Sequence, residues 1–523
     1  MTIARRWNAQ LALVVLILAL AAALRLYDLS GVPSELVADE LDLYNSAQSI
    51  ASTGHDVDGT LLPFFYSTFT RNPPLYGIAA YASTRVFGKN ALALRLPAAL
   101  FGVAAVLLIY GIGLELSRRR EVALAAALLA ATQPILVHFS RIAWEPSSQL
   151  PFILGGLYVL VRCLRRADEA ASASLPLGPL VLAGALLGLA SFTYMAAWVY
   201  SVLLAGALLL LNLRRLRDRI TRWNVAGGIA TWLIVSAPAL WMWFGDPLTY
   251  GRTHRISTFA NGISSAALLT FFTNYAKQFD WSYLATTGDP IPGATWRYLV
   301  GFGAFFWWVV PLALAGLVLL PRVIPALWAR RWLWIWLLVY PLGAALTNEA
   351  VPNAPRTLAG APVFCILAAI GFAGILDLAR NARKGSETFT AIVQGLFVGG
   401  TLASTALFAR YYFTQYVHVY PNAWDSGTRA LFALVRDEAP QYDRICFTLY
   451  PAFYAVDTYV RYYISDVATP TIENANDPEC YLPGTLLVTD TMQPHARAHF
   501  APIATVRDID GLPFAAISAR PRG

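Results

Sequence analysis

The sequence predicts a polytopic α-helical membrane protein with a small α/β domain at its C-terminal end. Three observations carry that expectation: long uninterrupted apolar stretches, a scarcity of charge, and basic clusters that fall on one side of the implied membrane. Runs such as Leu11–Leu24 and Leu299–Leu320 contain almost nothing polar, and a hydrocarbon core of about 30 Å asks for about 20 apolar residues per helix. Charged residues are 13% of the 523-residue chain, against roughly 25% in soluble domains, which excludes an ordinary soluble globule. The net charge of +8 does not imply nucleic acid, because most basic residues sit in short clusters between apolar runs, where they set orientation.

The apolar runs place about eleven spans, at 8–27, 95–116, 121–137, 148–164, 178–195, 196–213, 224–244, 298–320, 332–347, 357–378 and 388–411. The first follows Arg5 and Arg6 in the manner of a signal peptide. It is longer than a typical apolar signal core and lacks a convincing cleavage site before Asp39, so a retained signal anchor is expected. The stretch from Pro179 to Leu213 would run about 50 Å as one helix at 1.5 Å per residue. That is too long for one crossing, so a hairpin is expected near Tyr194–Trp198. With the N-terminus inside, this parity gathers Arg5–Arg6, Arg118–Arg120, Arg162–Arg166, Arg214–Arg222, Arg322, Arg330–Arg331 and Arg380–Lys384 on the cytoplasmic side, as the positive-inside rule requires.

The opposite side then receives a long first loop (28–95), a short loop (138–147), a longer one (245–297) and the segment 412–523. Residues 1–411 form the membrane module under this reading, and 412–523 an extracytoplasmic α/β domain. Within that domain Asp425–Glu438 reads as an amphipathic helix, Arg444–Leu449 and Leu486–Thr489 as strands, and two strand-like runs flank the turn at Asp510–Gly511. Cys446 and Cys480 lie there, and an oxidising compartment permits a bridge between them; the sequence leaves open whether they meet. Cys163 and Cys365 read as buried thiols. His495 and His499 read as surface histidines, and no metal set is singled out. The chain has no Walker loop, no G-x-G-x-x-G after a strand and no G-x-S-x-G elbow.

Candidate chemistry concentrates in the outer loops. Asp39 and Glu40 follow the first span by about a dozen residues; adjacent helical side chains diverge by about 100°, so one can act as base while the other orients a ligand. The plain alternative is a solvated acidic surface. The first loop continues through Asp42, Tyr44 and Arg71-Asn72-Pro73-Pro74-Leu75-Tyr76 and is expected along the membrane interface. The short loop carries His138, Arg141 and Glu145. Arg141 and Glu145, four apart, either pair with each other or leave Arg141 for an anionic ligand, since a guanidinium binds phosphate bidentately and keeps its charge. Arg356, after Asn348-Glu349, adds another outer arginine. Arginines at the outer head-group level run against positive-inside statistics and point to a phosphate partner. Asp280, Trp281 and Asp289 add acidic and aromatic side chains in the third outer loop.

An acidic pair early in a long first outer loop, then Asn72-Pro73-Pro74-Leu75-Tyr76, His138-Phe139-Ser140-Arg141 and Thr347-Asn348-Glu349 with Pro355-Arg356, resembles the GT-C fold glycosyltransferases. More narrowly it is similar to the protein O-mannosyltransferase and aminoarabinose transferase superfamily (glycosyltransferase family 39-like). The resemblance covers about residues 10–420. It implies transfer, with inversion, of a sugar from a polyprenyl-phosphate donor to a protein, lipid or glycan acceptor at the outer face. It implies Asp39 as general base, Glu40 as a sugar-placing group, and Arg141, Arg356 and Arg71 as donor-phosphate ligands. Tyr44, His138, Glu145 and Glu349 are further candidate substrate contacts. Aminoarabinose transferases commonly carry Lys before the Pro pair, where this chain has Asn72, so no particular donor sugar follows. A transporter of lipid-linked saccharides is the competing reading; it predicts ionisable residues inside the spans and repeated halves, and the sequence shows few of the former and none of the latter.

Overall fold

The computed structural model describes residues 3–67, 71–170, 174–288, 299–349, 351–381, 386–419, 424–448, 455–472, 477–490 and 500–522. Helices occupy each apolar run read from the sequence. Among the described residues, five are long and apolar enough to cross a membrane: Ala91–Ser117, Glu145–Glu169, Arg219–Gly245, Pro362–Asn381 and Glu387–Thr414. Shorter apolar helices cover Gln10–Leu26, Leu177–Phe192, Ala197–Leu211 and Val309–Val323. The protein is a multi-pass membrane protein.

The run from Pro179 to Leu213 does break, into Leu177–Leu189, a short 3₁₀ turn Ala190–Phe192 and Ala197–Leu211. The span expected over 298–320 becomes a helix only at Val309, and the one expected over 332–347 is Leu327–Val339, ended before Pro341. Proline cannot continue a backbone ladder, and irregular backbone at such depth is tolerated where it borders protein or a cavity. Close packing replaces hydrophobic drive between the spans. An added Cβ on Gly316 would lie 1.9 Å from the Leu367 carbonyl oxygen, and one on Gly371 2.2 Å from that of Leu312, so Val309–Val323 and Pro362–Asn381 touch backbone to backbone.

One end of the bundle is tied by charge. Arg119 pairs with Glu121 and Asp377, Arg118 and Arg165 with Glu169, Arg165 also with Glu115, and Arg215 with Asp168. Clusters far apart in sequence therefore share one face, as the loop charges predict.

At the other end the first outer loop holds helices Ala38–Thr53 and Leu75–Phe87 and a two-stranded hairpin, Tyr66–Ser67 with Arg71–Asn72. The C-terminal segment builds a five-stranded mixed sheet in the order Thr471–Ile472, Arg444–Thr448, Thr485–Asp490, Pro513–Arg520, Ala501–Arg507. The first two pairings are parallel and the rest antiparallel. Helices Thr428–Glu438 and Val456–Tyr463 accompany it; the second was not foreseen. Cys446 and Cys480 do form a disulfide, with Cα atoms 5.6 Å apart. His495, His499 and Asp289 lie outside the described residues.

The outer loop and the sheet are not separate bodies. Leu41, Leu43, Tyr44 and Tyr76 share one buried cluster with Leu431, Phe432, Ile445 and Tyr462. Asn45 donates to the Thr458 carbonyl at 2.9 Å, and the Thr458 hydroxyl to Asp42 at 2.5 Å.

Candidate functional site

Two sets of charged side chains meet where the first outer loop joins the bundle. The first is buried throughout. The Glu40 carboxylate receives both Nε and an Nη of Arg95, at 2.8 and 2.9 Å, the Ala143 amide at 2.8 Å and the Val37 amide at 3.2 Å. Both partners of that ion pair are fully buried. Arg95 spends its other donors on the carbonyls of Leu29, Pro33 and Glu35. Arg141 donates to the carbonyls of Leu24, Tyr27, Asp28 and Val32 at 2.8–3.0 Å, and its guanidinium lies 4.8 Å from the Phe413 ring centre. Arg25 serves Ala21, Ala130, Ala131 and Leu136 in the same way. Gly102 makes room for it, since a Cβ there would stand 2.6 Å from Arg25 Nε.

These contacts engage two of the residues expected at the site with the protein itself. Both oxygens of Glu40 accept two bonds each from the protein. Arg141 is a clamp on the exit of the first helix and does not reach an open surface. Each buried polar group must be paired where it lies, and main-chain carbonyls are what this turn-rich segment offers. Arg25 and Arg95 escaped sequence reading. Their signal was a charge inside an apolar run, Leu24-Arg25-Leu26 and Leu94-Arg95-Leu96, which is costly in a membrane and marks a specific partner.

His138 and Tyr44 are packed inside the protein too. His138 is fully buried, with Nδ1 2.9 Å from the Tyr412 hydroxyl inside an aromatic ring of Phe139, Tyr412, Tyr416 and Trp424. Tyr44 packs edge-on against Tyr462 of the C-terminal domain; burial pushes its hydroxyl above the usual tyrosine range. Arg71 bridges Asp56 at 3.5 Å and Asp246 at 3.8 Å, tying the first outer loop to the start of helix Pro247–Ile256, which Asp246 caps.

The second set faces a cavity of about 260 Å³, lined by Glu145, Tyr194, Trp243, Ser257, Thr347 and Arg356 among others. Glu145 begins a 3₁₀ turn that leads into helix Gln149–Glu169. Arg356 sits on a short turn, Ala354–Thr357, whose first amides are capped by Asn353. Its carbonyl accepts from Tyr200, and the neighbouring Pro355 carbonyl from Gln149. The guanidinium bonds Thr347 and the Glu349 carboxylate, the latter at 2.8 Å. Glu349 itself is 56% exposed, so this pair borders water. Asp280 and Trp281 are not among the lining residues; from that loop Ile256 and Ser257 are.

Asp39 stands half-buried in the first turn of helix Ala38–Thr53, where the helix dipole favours an anion. The Glu40–Ala143 bond holds that turn two residues from Glu145. An apolar groove follows the same helices away from the cavity. Val199 and Trp243 line the cavity; Val202, Ala205, Gly206 and Leu209, with Trp232, Ile229 and Val225, line the groove. From Val199 to Leu209 a helix rises about 15 Å.

A helical membrane module with a small cavity near a long first outer loop, which packs in turn on an α/β domain, is the architecture of the GT-C fold. Residues 15–245 match the sequence model of the family Dolichyl-phosphate-mannose-protein mannosyltransferase. The fold is similar to that of ArnT from Cupriavidus metallidurans bound to undecaprenyl phosphate, at 13% identity and a TM-score of 0.59 over 99% of this chain and 98% of that one. It is also similar to the oligosaccharyltransferase AglB from Archaeoglobus fulgidus, solved with an inhibitory peptide and a dolichol-phosphate. There the identity is 12% and the TM-score 0.54, over 93% of this chain and 70% of that one. No curated protein sequence matches.

Proposed function

We propose that the protein moves one sugar, a hexose or pentose, from a polyprenyl-phosphate donor to an acceptor hydroxyl at the extracytoplasmic face, with inversion. The observation that carries this reading is a small cavity holding Glu145 and Arg356 beside one end of helices Ala197–Leu211 and Arg219–Gly245, with an apolar groove farther along the same two helices. That is the shape a charged head group on an isoprenoid tail requires. About 260 Å³ lies just below the range of pockets for drug-sized ligands, which suits a single sugar better than an oligosaccharide.

Arg356 is the donor-phosphate ligand in this reading. Its carboxylate partner Glu349 is exposed and exchangeable for a phosphate, and bidentate guanidinium bonds stabilise the charge that grows on the leaving group. Glu145 accepts from a sugar hydroxyl. Asp39 is the base: the acceptor oxygen bonds to the anomeric carbon, the bond from that carbon to the phosphate oxygen breaks, and the hydroxyl proton passes to Asp39. Arg71, Arg141 and Glu40 act as positioning residues. The basic face of the bundle supports a cytoplasmic N-terminus, and the Cys446–Cys480 disulfide supports a C-terminal domain outside. Neither the family match nor the shared folds point to a transporter.

The test is transfer of labelled sugar from polyprenyl-phosphate donors in membranes carrying the wild type or Asp39→Asn at matched expression. Transfer by the wild type alone supports the reading; equal transfer removes Asp39 as base, and donor uptake without any product favours transport.

A further inference from the structure

A second and larger cleft, of about 880 Å³, opens between the first outer loop and the C-terminal domain. Its walls are Ser30, Leu36, Gln48 and Lys89 on one side and Arg429, Arg436, Tyr462, Tyr463 and Asp466 on the other. We infer that this cleft binds the acceptor, and that the acceptor portion held there is a saccharide bearing an anionic group. The inference rests on the transferase reading above and names the acceptor class for the same site.

Position is the first argument. Leu36, one of the lining residues, precedes Asp39 by three residues, so the two lie within about 11 Å along even an extended chain. The donor cavity approaches the same helix turn from elsewhere, through the Glu40–Ala143 bond and Glu145. The first turn of helix Ala38–Thr53, which carries Asp39, is thus close along the chain to a lining residue of the cleft and is tied through Glu40 to the segment that holds Glu145. In-line displacement needs the acceptor to arrive away from the leaving phosphate, and the cleft supplies that approach.

Wall chemistry is the second argument. Two of the three cations are committed: Arg429 to Glu35 at 3.4 Å and Arg436 to Asp466 through two bonds at 2.7 and 2.8 Å. Burial also pushes the Glu35 carboxyl above its usual range, against the opposing pull of Arg429 and Arg95, which weakens its hold on Arg429. Lys89 makes no ion pair among the described residues. It donates to the Tyr462 carbonyl and lies 4.5 Å from the Tyr462 ring centre. An ammonium has three donors, so Lys89 keeps two for a ligand. Aromatic rings beside fixed ion pairs and a spare cation bind a ring of hydroxyls with one negative group. An extended peptide takes its affinity from the edge of a sheet; these walls come from helices Ala38–Thr53, Thr428–Glu438 and Val456–Tyr463 and the loops beside them.

The experiment is calorimetric titration of the full-length detergent-solubilised protein with mannose 6-phosphate, with uncharged mannose and with undecaprenyl phosphate. The phosphosugar is expected to bind more tightly than mannose. Lys89→Met weakens it about tenfold, the loss of one charge-assisted bond, Lys89→Arg restores most of it, and undecaprenyl-phosphate binding is unchanged throughout. Ser465→Trp, at an exposed position of the lining, blocks the phosphosugar without touching Lys89. Equal binding of the two sugars, or no effect of either Lys89→Met or Ser465→Trp, overturns the inference; displacement of the phosphosugar by phosphatidylglycerol micelles reassigns the cleft to membrane lipid. Failure of the unsubstituted protein to bind undecaprenyl phosphate sinks the transferase reading instead, and leaves the sugar result to be judged alone.

Discussion

Arg95 and Arg356 are both outer arginines beside a carboxylate, yet they do different work. Arg95 is fully buried, its carboxylate Glu40 is fully buried, and every remaining donor reaches a carbonyl. Arg356 borders a cavity and pairs with a carboxylate that is more than half exposed. A guanidinium whose donors are all consumed by its own chain is a fastener, whereas one held by a water-accessible acid can trade that acid for an anion. The same contrast separates the adjacent residues Asp39 and Glu40. Glu40 turns inward to fix the helix, and Asp39, beside it on the first turn, stays half-buried.

That contrast can be broken in four ways, from the largest effect to the smallest. Asp39→Asn is expected to lower sugar transfer by about 10²–10⁴-fold, the usual worth of a positioned base, while the melting temperature of the purified protein stays within a degree or two. A large thermal loss in this variant would move Asp39 into the frame with Glu40. Arg95→Met leaves the Glu40 charge buried and alone, which costs about 3–5 kcal/mol. It should show as a clear fall in melting temperature and in folded yield on size-exclusion chromatography, with Glu40→Gln milder. Arg356→Gln should weaken undecaprenyl-phosphate binding about tenfold or more, as loss of a charged bond does, and leave thermal stability nearly unchanged. Arg356→Lys keeps charge without the bidentate fork and should fall between. Gly206→Leu is the gentlest probe. A Cβ there meets nothing within 4 Å, so the larger side chain fills the groove, and polyprenyl-phosphate binding should weaken by ~2–10-fold, roughly the 1 kcal/mol of crowding one added side chain brings. If binding is unaffected, the tail runs elsewhere.

Much of the fold was legible because membranes constrain sequence so strongly. Apolar length located the helices, and the length of 179–213 with the charge of the loop after it forced the break that the structure shows between Phe192 and Ala197. In the C-terminal domain the runs Arg444–Leu449 and Leu486–Thr489 and the two that flank Asp510–Gly511 read as strands, and the structure has strands at Arg444–Thr448, Thr485–Asp490, Ala501–Arg507 and Pro513–Arg520. The helix Val456–Tyr463 went unread because its apolar face is made of tyrosines and one valine, which sequence scales treat as indifferent.

The sites divide differently. That Asp39, Glu145, Glu349 and Arg356 belong to outer loops was legible from their positions between apolar runs, and the roles expected of them came from the family resemblance. Which carboxylate of Asp39-Glu40 faces inward was not legible, because adjacent positions on a helix differ only by rotation, and the choice is made by Arg95 and the Ala143 amide from distant parts of the chain. Arg141 and Arg356 look alike in sequence for the same reason: local pattern gives a side chain its charge but not its partners.

By itself, then, the sequence determined the solvent of this protein, the side on which its polar loops gather, and the inventory of acids and arginines available there. Tertiary structure alone decided which of those groups are consumed as fasteners and which remain open. Exposure depends on contacts between residues a hundred or more positions apart, such as Arg25 with Ala131 or Arg141 with Leu24, and no local signal in the chain encodes them.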